Sequence, residues 1–283
     1  MNTSLQIETL TGLIPHLSNQ KNKKIVVKYG GAAMKNPVLT LKVIEDIVLL
    51  SLLGFSIILV HGGGPMINQW LEKLQIPPKF EDGVRITDSQ TMEVVQMVLA
   101  GKVNKDLVDL FKQYHLKAVG ISGQDANLIA PKLINQLPDN RVANIETLNL
   151  DLIHVLLNNN YLPIIAPTSS DSFGRPYNIN ADTVAGRIAG SIKAHSLIIL
   201  TDTPGILQNH RDTSSILPSL NLGEVHQLIK DGVIQGGMLP KVNCCIQALN
   251  DGVQLTSIID GRIPNSLLLS LLTNSTAGST ISH

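Results

Sequence analysis

The sequence predicts an α/β protein in which helices cover both faces of a mostly parallel central sheet. Short runs of β-branched apolar residues alternate along the chain with longer segments of helical periodicity, an order typical of βαβ units. The apolar run at residues 57–60 also leads, through one histidine, into three consecutive glycines and a proline. A buried parallel strand that passes into a helix has this form.

The elements follow from the spacing of apolar residues. Strands are predicted at residues 25–27, 57–60, 118–121, 163–166, 197–200 and 257–259, and helices at 39–53, 89–114, 145–159, 181–192, 223–231 and 239–250. Residues 134–144 and 168–180 are polar and are predicted to form hairpin-like excursions, and 207–219 an exposed loop. Ahead of the first strand, apolar residues at 10, 13, 14 and 17 predict a helix that packs on its own domain or on another subunit.

Composition excludes several classes of function. The chain has 283 residues, no net charge and only 3% aromatic residues, so it carries no electrostatic or stacking signature of nucleic-acid binding. Its two cysteines, Cys244 and Cys245, are adjacent and can form neither a disulfide framework nor a metal knuckle. No apolar run reaches membrane-spanning length and no signal peptide is recognisable, so we expect a soluble protein of a reducing compartment.

Two glycine loops follow predicted strands at the sheet edge where α/β proteins bind ligands. Glycines 62–64 precede Pro65, a favoured residue in a first helical turn, so their backbone N–H groups and the helix dipole can hold an anion. Lys28 ends the first strand and is followed by Gly30 and Gly31, and a lysine there can reach a phosphate. A plain turn and a solvated lysine are the alternatives, but the loops end neighbouring strands, which favours an anion site.

Two predicted helix starts carry polar residues with a functional interpretation. Lys241 follows Gly237 in the first helical turn, where the helix dipole opposes a cation, so we interpret this lysine as aimed at an anion. Asp182 could simply be a carboxylate at a helix N-terminus. Asn178 and Asn180 alternate ahead of it, however, and this pattern favours a segment that lines a site.

Two turns complete the candidate site. Arg85 lies between polar neighbours, and its guanidinium can bind a carboxylate or can pair with a nearby aspartate. Thr201, Asp202 and Gly205 follow another buried strand, where the sugar and base of a nucleotide would lie in such a sheet, although a plain loop would also have these residues.

The chemistry is narrowed by what the sequence lacks. It contains no G-x-x-x-x-G-K-[ST] motif, no G-x-G-x-x-G motif and no nucleophile elbow. Glycine loops, two lysines and an ordering aspartate are the parts that phosphoryl transfer requires, because its catalysis consists mainly of positioning and electrostatic stabilisation. A carboxylate acceptor, with an ordinary pKa of about 4.3, would already be ionised at neutral pH and would need no general base.

Five motifs stand out along the chain: VVKYGG at 26–31, LVHGGG at 59–64, DGVRIT at 82–87, NINAD at 178–182 and GGMLPKV at 236–242. In their order and spacing, and from about residue 24 to the C-terminus, the chain resembles the acetylglutamate kinase branch of the amino acid kinase family. The resemblance implies a three-layer αβα sandwich with an N-terminal helical extension (1–23), an N-acetylglutamate lobe (24–193) and an ATP lobe (194–283). It also implies transfer of the ATP γ-phosphoryl group to the side-chain carboxylate of N-acetyl-L-glutamate, in arginine biosynthesis.

The resemblance further implies roles for individual residues. The catalytic residues would be Lys28 and Lys241, which neutralise the transferred group, and Asp182, which holds both lysines. Substrate-binding residues would be Gly63, Gly64, Asn178, Asn180 and Arg85, the last on the α-carboxylate. Nucleotide-binding residues would be Gly30, Gly31, Thr201, Asp202, Gly205 and Gly237. Mg²⁺ would be held mainly by the phosphates of ATP and not by a metal site of the protein.

Partners and regulation are implied in the same way. We expect a homo-oligomer with a dimer core and a hexamer built through the N-terminal helix, and the PII signalling protein as a candidate partner. Ser257 stands where the arginine-inhibited members have a histidine, Ser270 stands where they have an acidic residue, and 274–279 depart from their pattern. We therefore expect weakened arginine inhibition. The expected location is the cytoplasm, or the plastid stroma if the chain is plastid-encoded.

Two alternatives stay open. A sibling kinase that acts on another acceptor would keep the glycine loops but should lack Arg85 together with Asn178 and Asn180. A non-catalytic regulatory homologue should have lost one of the two lysines or the aspartate, and all three are present.

Overall fold

The computed structural model describes residues 22–31, 34, 36–81, 84–134, 139–273 and 277–283. The N-terminal helix predicted within 1–23 therefore lies almost entirely outside the described residues, as do residues 274–276 of the C-terminal segment. None of the described helices is both long enough and apolar enough to cross a membrane.

Strands alternate with helices through most of the described chain. The strands are β1 (Lys24–Tyr29), β2 (Ser56–His61), β3 (Lys79–Glu81), β4 (Val84–Ile86), β5 (Ala118–Ser122), β6 (Ile129–Leu133), β7 (Ala143–Leu148), β8 (Leu162–Ala166), β9 (Thr168–Ser170), β10 (Pro176–Asn178), β11 (Ser196–Thr201), β12 (Ser219–Asn221), β13 (Leu255–Asp260) and β14 (Gly278–Ser282). The helices are α1 (Pro37–Leu52), α2 (Gly64–Lys73), α3 (Ser89–Gln96), α4 (Asn104–Lys112), α5 (Asp151–Asn158), α6 (Ala181–Ser191), α7 (Leu222–Lys230), α8 (Met238–Asn250) and α9 (Ser266–Leu272). A π-helical segment, Met97–Val103, joins α3 to α4.

Eight strands form the central sheet in the order β12-β14-β13-β11-β1-β2-β8-β5. Neighbouring strands are parallel except for the antiparallel pair β13 and β14. Along β1, Ile25 and Val27 point to one face and Val26 to the other, the alternation that a two-sided buried strand requires. Helices α1–α4 and α9 cover the first face and α5–α8 the second. The predicted α/β class and its three layers are confirmed.

One predicted helix was too long. Residues 145–148 of the helix predicted at 145–159 belong instead to β7, which pairs with β6 in an antiparallel hairpin, and α5 begins only at Asp151. Ala143 and Ile145 are buried while Asn144 and Glu146 are exposed. Burial thus alternates from one residue to the next, as in a strand. The apolar residue Ile145 also fits the start of the predicted helical pattern, and for this reason the helix was predicted to begin too early. The predicted excursion at 168–180 is confirmed as the β9–β10 hairpin, and the predicted helix at 89–114 is continuous through the π-helical segment.

A buried carboxylate joins the first and last described helices. The carboxylate of Asp46 in α1 lies near the backbone N–H groups of Leu267 and Leu268, at the start of α9, and its Oδ1 has no hydrogen-bond partner among the described residues. The N-cap residue of α9, Asn265, has a left-handed φ of 61° and gives no side-chain cap, so the charge of Asp46 stabilises these N–H groups from another helix. Burial raises the pKa of Asp46 to about 6, although the two backbone N–H groups lower it.

We expect Asp46→Ala to lower the free energy of unfolding by about 1–2 kcal/mol, because α9 loses its cap inside the protein. Asp46→Asn is the matched control, since it keeps an acceptor oxygen and removes the charge. The raised pKa means that the folded state binds more protons than the unfolded state between about pH 4 and 6. The wild type should therefore lose stability relative to Asp46→Asn as the pH rises through this window. Urea unfolding measures both effects, and an Asp46→Ala protein of unchanged stability contradicts the capping role.

Candidate active site

Three charged side chains meet at the carboxyl edge of the sheet. Lys28 Nζ of β1 lies 2.9 Å from Asp182 Oδ1, and Lys241 Nζ of α8 lies 2.8 Å from Asp182 Oδ2. Burial by itself would raise the pKa of Asp182, but the two lysines outweigh it and lower that pKa to about 2. The carboxylate is therefore ionised, and the cluster carries a net charge of +1, which suits an anionic ligand.

Local packing brings Asp182 and Lys241 together. Asn180 is the N-cap of α6, and its Oδ1 accepts the backbone N–H groups of Asp182 at 2.8 Å and Thr183 at 3.3 Å. Helices α6 and α8 lie so close that a Cβ at Gly186 would be 2.5 Å from Cys244 Sγ. Asn180 is also a predicted substrate-binding residue, and in the structure its side-chain oxygen caps α6.

The two glycine loops lie against each other beside Lys28. The N–H of Gly62 donates to the carbonyl of Tyr29 at 2.7 Å, which continues the pairing of β1 with β2. A Cβ at Gly30 would lie 2.9 Å from Lys28 Nζ, so only glycine leaves the ammonium group this room. Within the described part of the chain, the N–H groups of Gly63 and Gly64 donate no hydrogen bond. The start of α2 thus offers free donors next to a cation.

Arg85 of β4 is a buried cation. Its Nη2 donates to Asn68 Oδ1 and, at 3.5 Å, to the carbonyl of Gly64, while its guanidinium lies 4.7 Å from the centre of the Phe80 ring. Its Nη1 has no partner among the described residues. Asp88, an aspartate close to it in sequence, caps α3 instead. A carboxylate ligand would therefore supply what this buried guanidinium lacks.

Asn178 connects the β9–β10 hairpin to the segment that holds Arg85. Its Nδ2 donates to Thr87 Oγ1 at 3.3 Å, and its backbone N–H donates to the carbonyl of Arg141. Thr168, which pairs with Asn178 across the hairpin, has a buried hydroxyl without a partner in the described part of the chain. The predicted residues Arg85 and Asn178 are thus in one neighbourhood, beside the start of α2.

A pocket of about 500 Å³ lies on the other side of the charged cluster. Four of the six predicted nucleotide-binding residues line it together with Lys241, namely Thr201, Asp202, Gly205 and Gly237. Gly31, with a φ of +74°, lies against Asp202, so the first glycine loop adjoins this pocket. The wall also contains apolar side chains such as Ile234 and Met238.

Some residues of the site were missed by sequence reasoning. Asn68, the partner of Arg85, follows Gly64 by four residues and so shares its face of α2, a spacing that could have indicated it. Thr203 lines the pocket and has a buried hydroxyl without a partner in the described ranges. No signal in the sequence distinguished it from its neighbours.

A larger pocket, of about 650 Å³, lies beyond Gly63 and is lined mainly by apolar side chains of α1, α2 and α4. Among the described residues that line it, Asp106 is the one with a charge, and it is paired with Lys102. These described residues offer no cation to a phosphate, so we assign the chemistry to the charged cluster and the smaller pocket.

The model of the amino acid kinase family matches residues 23–260 of this chain. The acetylglutamate kinase of Pyropia yezoensis is 49% identical over 280 residues, which cover 99% of this chain and 98% of that protein. The acetylglutamate kinase of Nostoc punctiforme is 46% identical over 276 residues, which cover 98% of this chain and 93% of that protein.

Solved structures show the same fold. N-acetylglutamate synthase from Neisseria gonorrhoeae, complexed with coenzyme A and N-acetyl-glutamate, matches with a TM-score of 0.85 at 20% identity, over 98% of this chain and 63% of that one. Carbamate kinase from Giardia lamblia bound to AMP-PNP matches with a TM-score of 0.65 at 18% identity, over 92% of this chain and 98% of that one. Because the family model spans most of the chain and the sequence relatives match it almost end to end, this chain belongs to the amino acid kinase family.

Proposed function

We propose that this chain transfers the γ-phosphoryl group of ATP to the side-chain carboxylate of N-acetyl-L-glutamate, in the biosynthesis of arginine. The observation that carries the proposal is the buried Asp182 between Lys28 and Lys241, which lies beside a nucleotide-sized pocket. Acetylglutamate kinases match this chain over almost its full length, at 46–49% identity. This similarity supports N-acetyl-L-glutamate as the acceptor over the acceptor of a sibling kinase.

ATP would occupy the pocket of about 500 Å³ with its phosphates toward Lys241. Thr201 and Asp202 would face the polar parts of the nucleotide, Gly205 and Gly237 would let it approach the backbone, and Gly30 and Gly31 would lie near its phosphates. No group of three or more His, Cys, Asp or Glu among the described residues is arranged to hold a metal ion. As the family resemblance implies, Mg²⁺ would be held mainly by the phosphates of ATP, where it neutralises part of their charge.

N-acetyl-L-glutamate would bind between Arg85 and the start of α2. The unpartnered Nη1 of Arg85 would bind the α-carboxylate, and the free N–H groups of Gly63 and Gly64 would face the oxygens at the reacting end. Asn178 would line the pocket. Asn180 can contribute only its amide nitrogen, because its oxygen caps α6.

The reaction needs charge stabilisation more than proton transfer. An ionised carboxylate oxygen attacks the γ-phosphorus as the bond to the bridging oxygen of ADP breaks, which gives an acyl phosphate and ADP. Negative charge spreads over the transferred group, where Lys28, Lys241 and the backbone N–H groups can stabilise it. Asp182 fixes both ammonium groups before the substrates arrive, so little reorganisation is needed during the step.

The proposal extends to assembly, regulation and location. Large apolar side chains are exposed on α2 and on the β3–β4 hairpin, among them Trp70, Leu74, Phe80 and Ile86, and a second copy of the chain would cover such residues. Assembly into a hexamer, binding of PII, weak arginine inhibition and a plastid or cytoplasmic location follow from the resemblance alone. The lobes at 24–193 and 194–283 are proposed on the same basis.

The substrate assay tests the proposal directly. Purified protein with ATP, Mg²⁺ and N-acetyl-L-glutamate should release ADP and, with hydroxylamine present, should form the hydroxamate that only an acyl phosphate gives. Glutamate in place of N-acetylglutamate should give little product. Lys241→Ala is the control for contaminating kinases and should lower kcat by about 10²-fold or more. A folded wild type without hydroxamate, or one that prefers glutamate, contradicts the proposed function.

Arg85→Lys tests the binding of the α-carboxylate. We expect KM for N-acetylglutamate to rise by about 10- to 100-fold, because a lysine keeps the charge but loses the planar fork. KM for ATP should stay close to that of the wild type. Arg175→Lys is the matched control, since Arg175 is exposed and pairs with Asp171. An equal rise in both KM values would place Arg85 outside the substrate pocket.

Asp182→Asn tests the central carboxylate. With both ion pairs lost, we expect kcat to fall by about 10²-fold or more, since the ammonium groups are no longer held in place. The lowered pKa of Asp182 means that its stabilising contribution is present above about pH 4 and is lost as the pH falls toward 2. The variant should therefore show a weaker loss of stability than the wild type over that range in acid unfolding. Asp151→Asn, at the first turn of α5, should behave like the wild type in both measurements.

A further inference from the structure

One buried histidine has no part in the site described above. His61 is the last residue of β2 and is fully buried. Its Nδ1 lies 2.9 Å from the carbonyl oxygen of Gly62, and its Nε2 lies 3.2 Å from Asn104 Nδ2. The ring thus joins the second glycine loop to the first residue of α4.

The hydrogen bonds of Asn104 determine which ring nitrogen carries the proton. Asn104 Nδ2 also lies 2.9 Å from the carbonyl of Ile164, which can only accept, so this atom is the amide nitrogen and a donor. The second hydrogen of this amide faces the carbonyl of Ile121 at 3.4 Å and His61 Nε2 at the shorter distance of 3.2 Å, and Nε2 can meet this donor only as an acceptor. Burial lowers the pKa of His61 to about 4, so the ring is neutral near pH 7. A neutral ring that accepts at Nε2 carries its proton on Nδ1 and donates it to the carbonyl of Gly62.

The orientation of one peptide group follows from this donor. The described peptide bonds are trans, so the carbonyl of Gly62 and the N–H of Gly63 point in opposite directions. His61 holds that carbonyl toward the buried side. The N–H of Gly63 consequently points away from the ring, and it donates to no other group in the described part of the chain.

Glycine makes this restraint necessary. A peptide between two glycines can rotate at little steric cost. If it rotated, the carbonyl of Gly62 would take the place of the Gly63 N–H, and a negative dipole would face the incoming anion. Asn104 also bonds the start of α4 to β8, directly after the π-helical segment whose Leu99 lies against Gly63.

We propose that His61 is a positioning residue, whose Nδ1–H holds the Gly62–Gly63 peptide so that the Gly63 N–H faces the transferred phosphoryl group, and that Asn104 selects the tautomer that does so. This inference rests on the proposed function, because the anion that the N–H would meet is the phosphoryl group in transit. His61 itself touches neither substrate in this arrangement.

A pair of amide variants separates orientation from packing. In His61→Asn the amide nitrogen can replace Nδ1 and donate to Gly62, whereas in His61→Gln it reaches only the position of Nε2, beside Asn104. We expect His61→Asn to keep kcat within about fivefold of the wild type and His61→Gln to lose on the order of 10²-fold, the loss typical of one missing transition-state donor. KM for both substrates should change little in either variant. Circular dichroism and thermal unfolding establish that both variants fold.

The tautomer is measured independently of activity. In ¹⁵N-labelled wild type, NMR of the imidazole should show the His61 proton on Nδ1. Asn104→Ala removes the donor to Nε2, so the proton should move to Nε2, and kcat should fall in proportion to the loss of the Nδ1 tautomer. Lys102→Ala, on the same helical stretch but exposed, is the control and should keep both the tautomer and kcat.

Three results would overturn the inference. They are a wild-type His61 protonated on Nε2, an Asn104→Ala variant with wild-type kcat, and a folded His61→Asn variant that loses as much kcat as His61→Gln. If His61→Gln does not fold, the NMR measurement and Asn104→Ala still decide the question. Failure of the proposed function has a different signature, since the wild type would then form no acyl phosphate while the Nδ1 tautomer stayed in place.

Discussion

The buried carboxylate of Asp182 is the constraint on which the site depends. Removing three charged groups from water is costly, and such a cluster is tolerated only when every charge is closely paired. Here each carboxylate oxygen has its own lysine, at 2.9 Å and 2.8 Å. The pairing leaves one unit of positive charge over, so the arrangement that satisfies the aspartate also creates the attraction for a phosphoryl group. Stability and chemistry have the same origin at this point.

The cluster also explains why distant parts of the chain must pack so closely. Lys28 lies near the end of a central strand, and Asp182 and Lys241 lie in the first turns of α6 and α8. The three groups therefore meet only if both helices lie against the sheet in a fixed orientation. Gly186 permits that approach, because a Cβ there would meet Cys244 Sγ at 2.5 Å. Asn180 fixes the first turn of α6 from the other side. The close packing of α6 on α8 therefore determines the distance between the ammonium groups of Lys28 and Lys241.

The sequence predicted the layers of the fold, but not the contacts that bring the predicted site residues together. Alternation of strands and helices is a local pattern, which explains why the α/β class could be recognised. The pairing of Asp182 with Lys241 joins residues 59 positions apart, and only the fold shows that their helices pack together. The error at 145–148 arose because a short alternating strand and the start of an amphipathic helix share apolar positions. The capping role of Asn180 could not be predicted either, because its capping bonds depend on where α6 begins.

The glycine loops show why a site of this kind needs more than glycine. Glycine lets a backbone N–H approach an anion, but the same freedom lets the peptide turn the wrong way, and the entropy lost on ordering it is large. Neighbouring side chains therefore have to impose the conformation. Leu99 lies against Gly63, Lys28 Nζ fills the space beside Gly30, and His61 holds the carbonyl of Gly62. The three glycines supply access, and the residues packed around them determine which atoms the loop presents.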